Sequence, residues 1–211
     1  MPERLTRQEH KSQTREQLID AAAAVFAKRG FEAATLDEIA AAAGYTKGAV
    51  YSNFKSKTDL MVALIERRVA LQSDQYSQRF EGLDLETATR GLEAHSDQPL
   101  EPEREWLILA VEFWLHAMRD ERTRLLVADE YEHARSVVAD VIVKMGYGAD
   151  GHEAPFEPRE MAIIIEALGT GLSLQAALDP DHVRMGLVGE VLVKLLGLPA
   201  LPAPRSVLPE A

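Results

Sequence analysis

Three observations predict an all-α fold. Apolar residues recur three and four apart along most of the chain, and no stretch alternates with the period of a strand. The starts and stops of the periodic segments are marked by Ser/Thr caps, glycines and prolines. About nine helices fit the 211 residues, and no internal repeat of roughly 20 to 50 residues is visible. The organisation read from these signals is a three-helix N-terminal domain over residues 1–56 and a larger helical domain over 57–198. A proline-rich segment over 199–211 reads as a disordered tail.

Residues 1–11 carry Arg4, Arg7 and Lys11 with little that could pack; they read as a frayed end, with a basic arm as the alternative. A first helix follows from about Ser12 to Lys28, with Leu18, Ala22, Val25 and Phe26 on one face and Gly30 as its stop.

Thr35 to Lys57, TLDEIAAAAGYTKGAVYSNFKSK, reads as two short helices with a bend at Gly44. Thr35 and Glu38 have the spacing of a capping box, and Thr46 can cap the second helix. Ala40, Gly44 and Val50 stand where a helix-turn-helix needs a small residue at the crossing, a glycine at the bend and a branched residue locking the second helix. The segment Tyr45–Lys57 holds three lysines, Lys47, Lys55 and Lys57, and no acid. A short cationic helix that also offers Tyr51, Ser52 and Asn53 suits the major groove of DNA, where lysines meet phosphates and short polar groups meet base edges. The plainer alternative is a helical hairpin inside a bundle with a solvated lysine face.

Ser56 caps a fourth helix, with Leu60, Met61, Leu64 and Val69 as its packed side. No glycine or proline interrupts it before Phe80. Residues 82–102 are polar, with a short helix around Leu85–His95 and breaks near Gly82 and Pro99–Pro102. Glu103–Arg119 is apolar on most of its circumference and reads as deeply buried. Its polar members Glu105, Glu112, His116 and Arg119 form one stripe, read as its wet side, with ligand contacts from Glu112 and His116 as the alternative. Thr123–Met145 is another amphipathic helix, with Tyr131, Ala134, Val138, Val141 and Met145 inward. A loop rich in glycine, proline and acid runs from Gly146 to Pro158, and two apolar helices close the fold at about Arg159–Leu178 and Asp181–Leu196.

Composition narrows the function classes. With no cysteine, disulfides and thiol chemistry are excluded. The N-terminus is polar throughout and no apolar run approaches the roughly 20 residues of a bilayer span, so a cytoplasmic protein with no membrane partner is expected. The net charge of −11 is unevenly spread: residues 1–69 hold 11 Lys+Arg against 9 Asp+Glu, and the remainder holds 12 against 25. That asymmetry fits a DNA-facing head on an acidic body that DNA repels. Enzyme signals are weak. Glu130 and His133 make a single Glu-x-x-His where a di-iron bundle would use two, and the six histidines lack paired ligand spacing. No G-x-S-x-G occurs, and Gly169-Thr170-Gly171 lacks the strand and third glycine of a phosphate loop. No cofactor or metal site and no enzyme activity is expected. A helical metal-dependent or ligand-binding protein without DNA function is the alternative reading.

The run from Thr14 to Leu60 resembles the DNA-binding head of the tetracycline-repressor-like (TetR) family of bacterial transcription regulators. The matching pieces are Ala21–Phe26, Gly30, Phe31, Thr35, Ile39, Ala40, Ala43, Gly44, Lys47, Gly48, Tyr51, Phe54, Lys57 and Leu60. The resemblance covers about a quarter of the chain. It implies a ligand-responsive regulator, a repressor rather than an activator, with the larger domain serving ligand binding and dimerisation. Lys47, Tyr51, Ser52 and Asn53 are then expected in the groove of double-stranded DNA, with Thr35, Tyr45, Lys55 and Lys57 nearer the phosphates and Thr46 also in the DNA-binding set. The last two helices are expected to pair with a second copy through Ile165, Leu168, Gly169, Leu172, Leu187, Val188, Val191 and Leu195. A dimer would read a palindromic operator. A pocket for a small hydrophobic effector is expected among Trp106, Phe113, Trp114, Met118 and Tyr131.

Overall fold

The computed structural model describes residues 6–94, 103–149, 154–196 and 198. Among these residues there are nine helices and no strand: α1 (Arg7–Arg29), α2 (Leu36–Ala42), α3 (Lys47–Asn53), α4 (Lys57–Arg79), α5 (Leu85–Ala94), α6 (Glu103–Ala117), α7 (Glu121–Lys144), α8 (Pro158–Leu178) and α9 (Leu187–Leu195). The tail over 199–211, Arg4, His95, Pro99–Pro102 and His152 lie outside the described residues. The chain gathers into two compact units, Met1–Gln72 with Glu101–Ala134, and Ser73–Leu100 with Arg135–Ala211.

The first unit is built on α1 and α4. From Leu60 to Ile65, six consecutive residues of α4 are buried, so this stretch is surrounded on all sides. Leu18, Ala22 and Phe26 of α1 are buried beside it, with Phe31, Ile39, Val50, Phe54 and Phe113 in the same core. Burying each large side chain of this set contributes about 1.5–3 kcal/mol. Arg67 of α4 reaches Asp20 at 2.6 Å and Glu16 at 3.6 Å, tying the two long helices along their outer edge.

Two expectations about this unit are corrected. The first helix starts at Arg7, not near Ser12, because Thr6 caps it: its hydroxyl accepts from the Glu9 amide at 3.3 Å and the Glu9 carboxylate accepts from the Thr6 amide at 2.6 Å. The helical part of residues 1–11 is therefore no frayed end. In α6, Leu109, Ala110, Phe113 and Ala117 are buried, but Ile108 and Leu115 are half exposed and Met118, just past its end, is 67% exposed. The helix packs by one face and is not deeply buried.

In the second unit, Leu85, Ile142, Tyr147, Met161 and Leu192 form the core, and α9 packs mainly against α5 and also against α8. The loop after α7 is anchored by Tyr147, whose hydroxyl donates to the Phe156 carbonyl at 2.7 Å. Helix α9 begins six residues later than expected. Asp179 precedes Pro180, which disfavours helical geometry; the Asp179 carbonyl closes a turn by accepting from the His182 and Val183 amides, and the Arg184 carbonyl closes a second by accepting from Leu187. The expectation that no apolar run reaches bilayer length is also corrected: by length and composition α8 is long and apolar enough to cross a membrane. Its Glu166 nevertheless accepts from Arg135 of α7 at 2.7 Å, a contact made within protein.

Candidate nucleic-acid interface

The helix-turn-helix is assembled as its sequence requires. Thr35 caps α2, accepting from the Glu38 amide at 3.2 Å, while Glu38 accepts from the Thr35 amide at 3.0 Å. The Thr35 hydroxyl also donates to the Glu38 carboxylate at 3.0 Å, and that bond first and the one from the Thr35 amide second hold the Glu38 carboxyl below its ordinary range. Gly44 takes φ 72, a conformation that glycine adopts at little cost and other residues do not. Thr46 caps α3 by accepting from the Ala49 amide at 3.3 Å. Val50 is fully buried and Phe54 nearly so, which fixes the rotation of α3 about its axis.

That rotation turns the opposite face outward. Tyr51 is 57% exposed, and Thr46, Lys47, Gly48, Ser52 and Lys55 are exposed around it. Several of these side chains already have partners. Lys47 donates to Asp37 of α2, and the hydrogen bond to that carboxylate raises the lysine's pKa above its ordinary value. The half-buried Tyr45 donates its hydroxyl to Gln17 of α1, and the Ser52 hydroxyl donates to the Ala49 carbonyl at 2.8 Å.

Asn53 and Lys57 stand differently from the rest of the expected set. The Asn53 amide donates to the Ala49 carbonyl at 2.8 Å from a half-buried position, closing the last turn of α3. The Lys57 ammonium donates to the carbonyls of Glu32 (2.8 Å) and Ala34 (3.1 Å) and lies 4.7 Å from the centroid of the Phe31 ring. Both side chains bond to backbone carbonyls of the head, and the Asn53 Oδ1 has no hydrogen-bond partner among the described residues.

Gly48 is among the residues that carry the family resemblance but has no place in the expected DNA-contact set. It is an exposed glycine at the second position of the seven-residue α3, and a Cβ there would meet nothing nearer than the Thr46 hydroxyl at 3.8 Å. Neither backbone conformation nor internal packing calls for glycine at that point. Its sequence signal is a glycine within a helical pattern, which normally needs a reason from elsewhere.

The other expected sites fall as follows. Phe113 is wholly buried, its ring 4.9 Å from that of Phe31, and Met118 points to solvent. Trp106, Trp114 and Tyr131 are half-buried; Trp114 donates its indole hydrogen to the Tyr131 hydroxyl at 2.6 Å, and Arg68 lies 4.4 Å from the Trp106 ring. An open groove of about 610 Å³ lies in the second unit, lined by residues such as Phe80, Leu83, Val141 and Met145, and by none of the five aromatic and Met candidates. Ile165, Val188 and Leu195 pack partly against the core of the second unit. Leu168, Gly169, Leu172 and Val191 are half-buried and Leu187 is exposed. Among the described residues no three His, Asp or Glu side chains gather as metal ligands.

Comparison with known proteins bears on both ends of the chain. The model of bacterial regulatory proteins of the tetR family matches residues 18–64, and that of the BetI-type transcriptional repressor, C-terminal, matches residues 97–196. A protein of Escherichia coli K12 described as "Probable acrEF/envCD operon repressor" is 27% identical over 176 residues, covering 83% of this chain and 71% of its own. Among solved structures, the fatty acid degradation regulator FadR from Bacillus halodurans superposes with a TM-score of 0.66 at 20% identity, covering 87% of this chain and 94% of its own. GusR of Salmonella enterica gives 0.66 at 20% identity, covering 92% and 100%. With one model spanning the helix-turn-helix and the other the helices from α6 to α9, the chain belongs to the TetR family of bacterial regulatory proteins and is a DNA-binding transcriptional regulator.

Proposed function

We propose that the protein is a homodimeric repressor that leaves a palindromic operator when a small hydrophobic effector binds. The observation that carries the DNA side of this reading is the division of α3: Val50 and Phe54 are locked in the core while Lys47, Tyr51 and Ser52 face solvent. In this reading Lys47, Gly48, Tyr51 and Ser52 enter the major groove, with Gly48 admitting the nucleic acid at close range. Thr35, Tyr45, Thr46 and Lys55 lie nearer the phosphates. Asn53 and Lys57 act indirectly, by holding α3 and the loop before α2.

The dimer reading is supported by α8. Only Met161, Ala162 and Ala176 of its 21 residues are buried in the chain, and Ile163 is 39% exposed. An isologous pairing of α8 and α9 through Leu168, Gly169, Leu172, Leu187 and Val191 would remove that apolar surface from water and set two α3 helices on one duplex. The effector reading is supported by Trp106, Trp114 and Tyr131, which offer a half-buried aromatic wall on α6 and α7. A ligand there would press on α6, whose Phe113 touches Phe31 of the head. Ligand and DNA would then be coupled reciprocally.

Selection from randomised duplexes followed by footprinting tests the proposal. An inverted repeat with half-sites about one helical turn or more apart is expected. Enrichment of a single half-site, or of none, would sink it. Long-chain acyl compounds and polycyclic aromatics, titrated against the selected duplex, test the effector class, and loss of affinity with neither would remove that part.

A further inference from the structure

The loop from Gly30 to Ala34 is the only covalent path from α1 to the helix-turn-helix, and α6 grips it. The Glu112 carboxylate accepts the Phe31 amide hydrogen at 2.7 Å. It also fills the space over Gly30: a Cβ at that glycine would lie 2.8 Å from Oε2 and 3.0 Å from Oε1. Gly30 has φ 75, so it serves both as the pivot that ends α1 and as the clearance for the carboxylate. One turn further along α6, His116 Nδ1 lies 3.2 Å from Glu32 Oε1, and its ring centroid is 4.9 Å from that of Phe31. From the other side Lys57 holds the carbonyls of Glu32 and Ala34.

A carboxylate beside the C-terminal end of a helix is disfavoured by the helix dipole. Glu112 stands there against that field, so stabilising α1 is not what it is placed for. What it gains is a charge-assisted hydrogen bond to a backbone amide that would otherwise be half-buried without a partner. We infer that Glu112 is a positioning residue for DNA binding: by holding the Phe31 amide and the space over Gly30, it sets the angle at which α2 and α3 leave α1. This rests on the DNA-binding reading and adds to it the residue through which α6 fixes the recognition helix.

The test uses the full chain and the duplex that the wild type selects, with a scrambled duplex as control. Glu112→Ala is expected to bind the selected duplex about tenfold more weakly and the scrambled one within about twofold of wild type. Its amides over residues 30–43 should exchange faster. Glu112→Gln keeps an oxygen facing the Phe31 amide and should recover to within about threefold. Unchanged affinity in Glu112→Ala, equal loss on both duplexes, or equal loss in Glu112→Ala and Glu112→Gln overturns the inference. If Glu112→Ala does not fold, Glu112→Asp decides, since it keeps the charge and loses the reach: it should bind more weakly than Glu112→Gln, and the reverse order overturns the inference. A wild type that selects no duplex brings down the DNA reading and this one together; with a wild type that binds, only the role of Glu112 is at stake.

Discussion

Helices α3 and α8 both leave their outward surface unmatched within the chain, and in opposite chemistry. In α3 a single buried residue, Val50, anchors seven residues that otherwise present hydroxyl, ammonium and phenol groups. In α8 the unmatched surface is aliphatic: Ile163 is exposed, and Ile164, Ile165, Leu168 and Leu172 are half-buried. A cationic, hydrogen-bonding face is at ease in water and leaves it for a polyanion. An aliphatic face leaves water for any surface like itself, and a second copy of the chain supplies one in register. Two incomplete surfaces therefore point to two different partners.

The largest effect expected from breaking this comparison is on α8. Leu168→Glu in both subunits should raise the dimer dissociation constant by about two to three orders of magnitude in sedimentation analysis, because each copy would bury an unpaired carboxylate. A variant that still sediments as a dimer at low concentration would remove α8 from the interface. Next in size is Lys57→Ala. Losing two carbonyl partners and the contact with Phe31 should cost about 1–3 kcal/mol in urea unfolding. Lys55→Ala, by contrast, should leave stability alone and flatten the salt dependence of DNA binding by about two units of slope, one for each subunit. If the two lysines exchange behaviour, the division of the head into inward and outward cations is wrong.

Gly48→Ala is smaller and more diagnostic. Alanine in place of this first-turn glycine should stabilise the fold by a few tenths up to about 1 kcal/mol and yet weaken binding to the selected duplex. Gain in both would mean that Gly48 faces nothing. The smallest effect concerns acid. Because the folded-state pKa of Glu38 lies below its ordinary value, the capping box stabilises α2 above the unfolded carboxyl pKa and is lost as pH falls through the depressed folded one. Thr35→Val should abolish that acid-side dependence, read as amide exchange in residues 36–42 between neutral and acid pH.

The head was legible in the sequence because its signals are local. Thr35 and Glu38, Gly44, Thr46 and Val50 act within one or two helical turns, and each stands in the structure as spacing predicted. The Thr6–Glu9 box is equally local, but residues 1–11 hold little that could pack, and such a stretch reads as a frayed end. What spacing could not supply is the direction of long side chains. Lys57 has the sequence neighbours of an outward lysine, yet its carbonyl partners lie 23 and 25 residues earlier. Glu112 and His116 sit on a stripe that reads as solvated because their partners come from a loop some 80 residues away. Charged groups with distant partners leave no periodic trace.

The Lys47–Asp37 pair has a consequence for the ionic ledger of repression. Asp37 holds the ammonium ahead of any encounter, so the side chain arrives at DNA with part of its motional freedom already surrendered. Were Lys47 to turn to the double helix, it would release a condensed cation there but break its own pair with Asp37, and added salt weakens both contacts. Each subunit would thus show a shallower salt dependence than its lysine count suggests, and the repressor would hold its site more evenly as the salinity of its surroundings drifts.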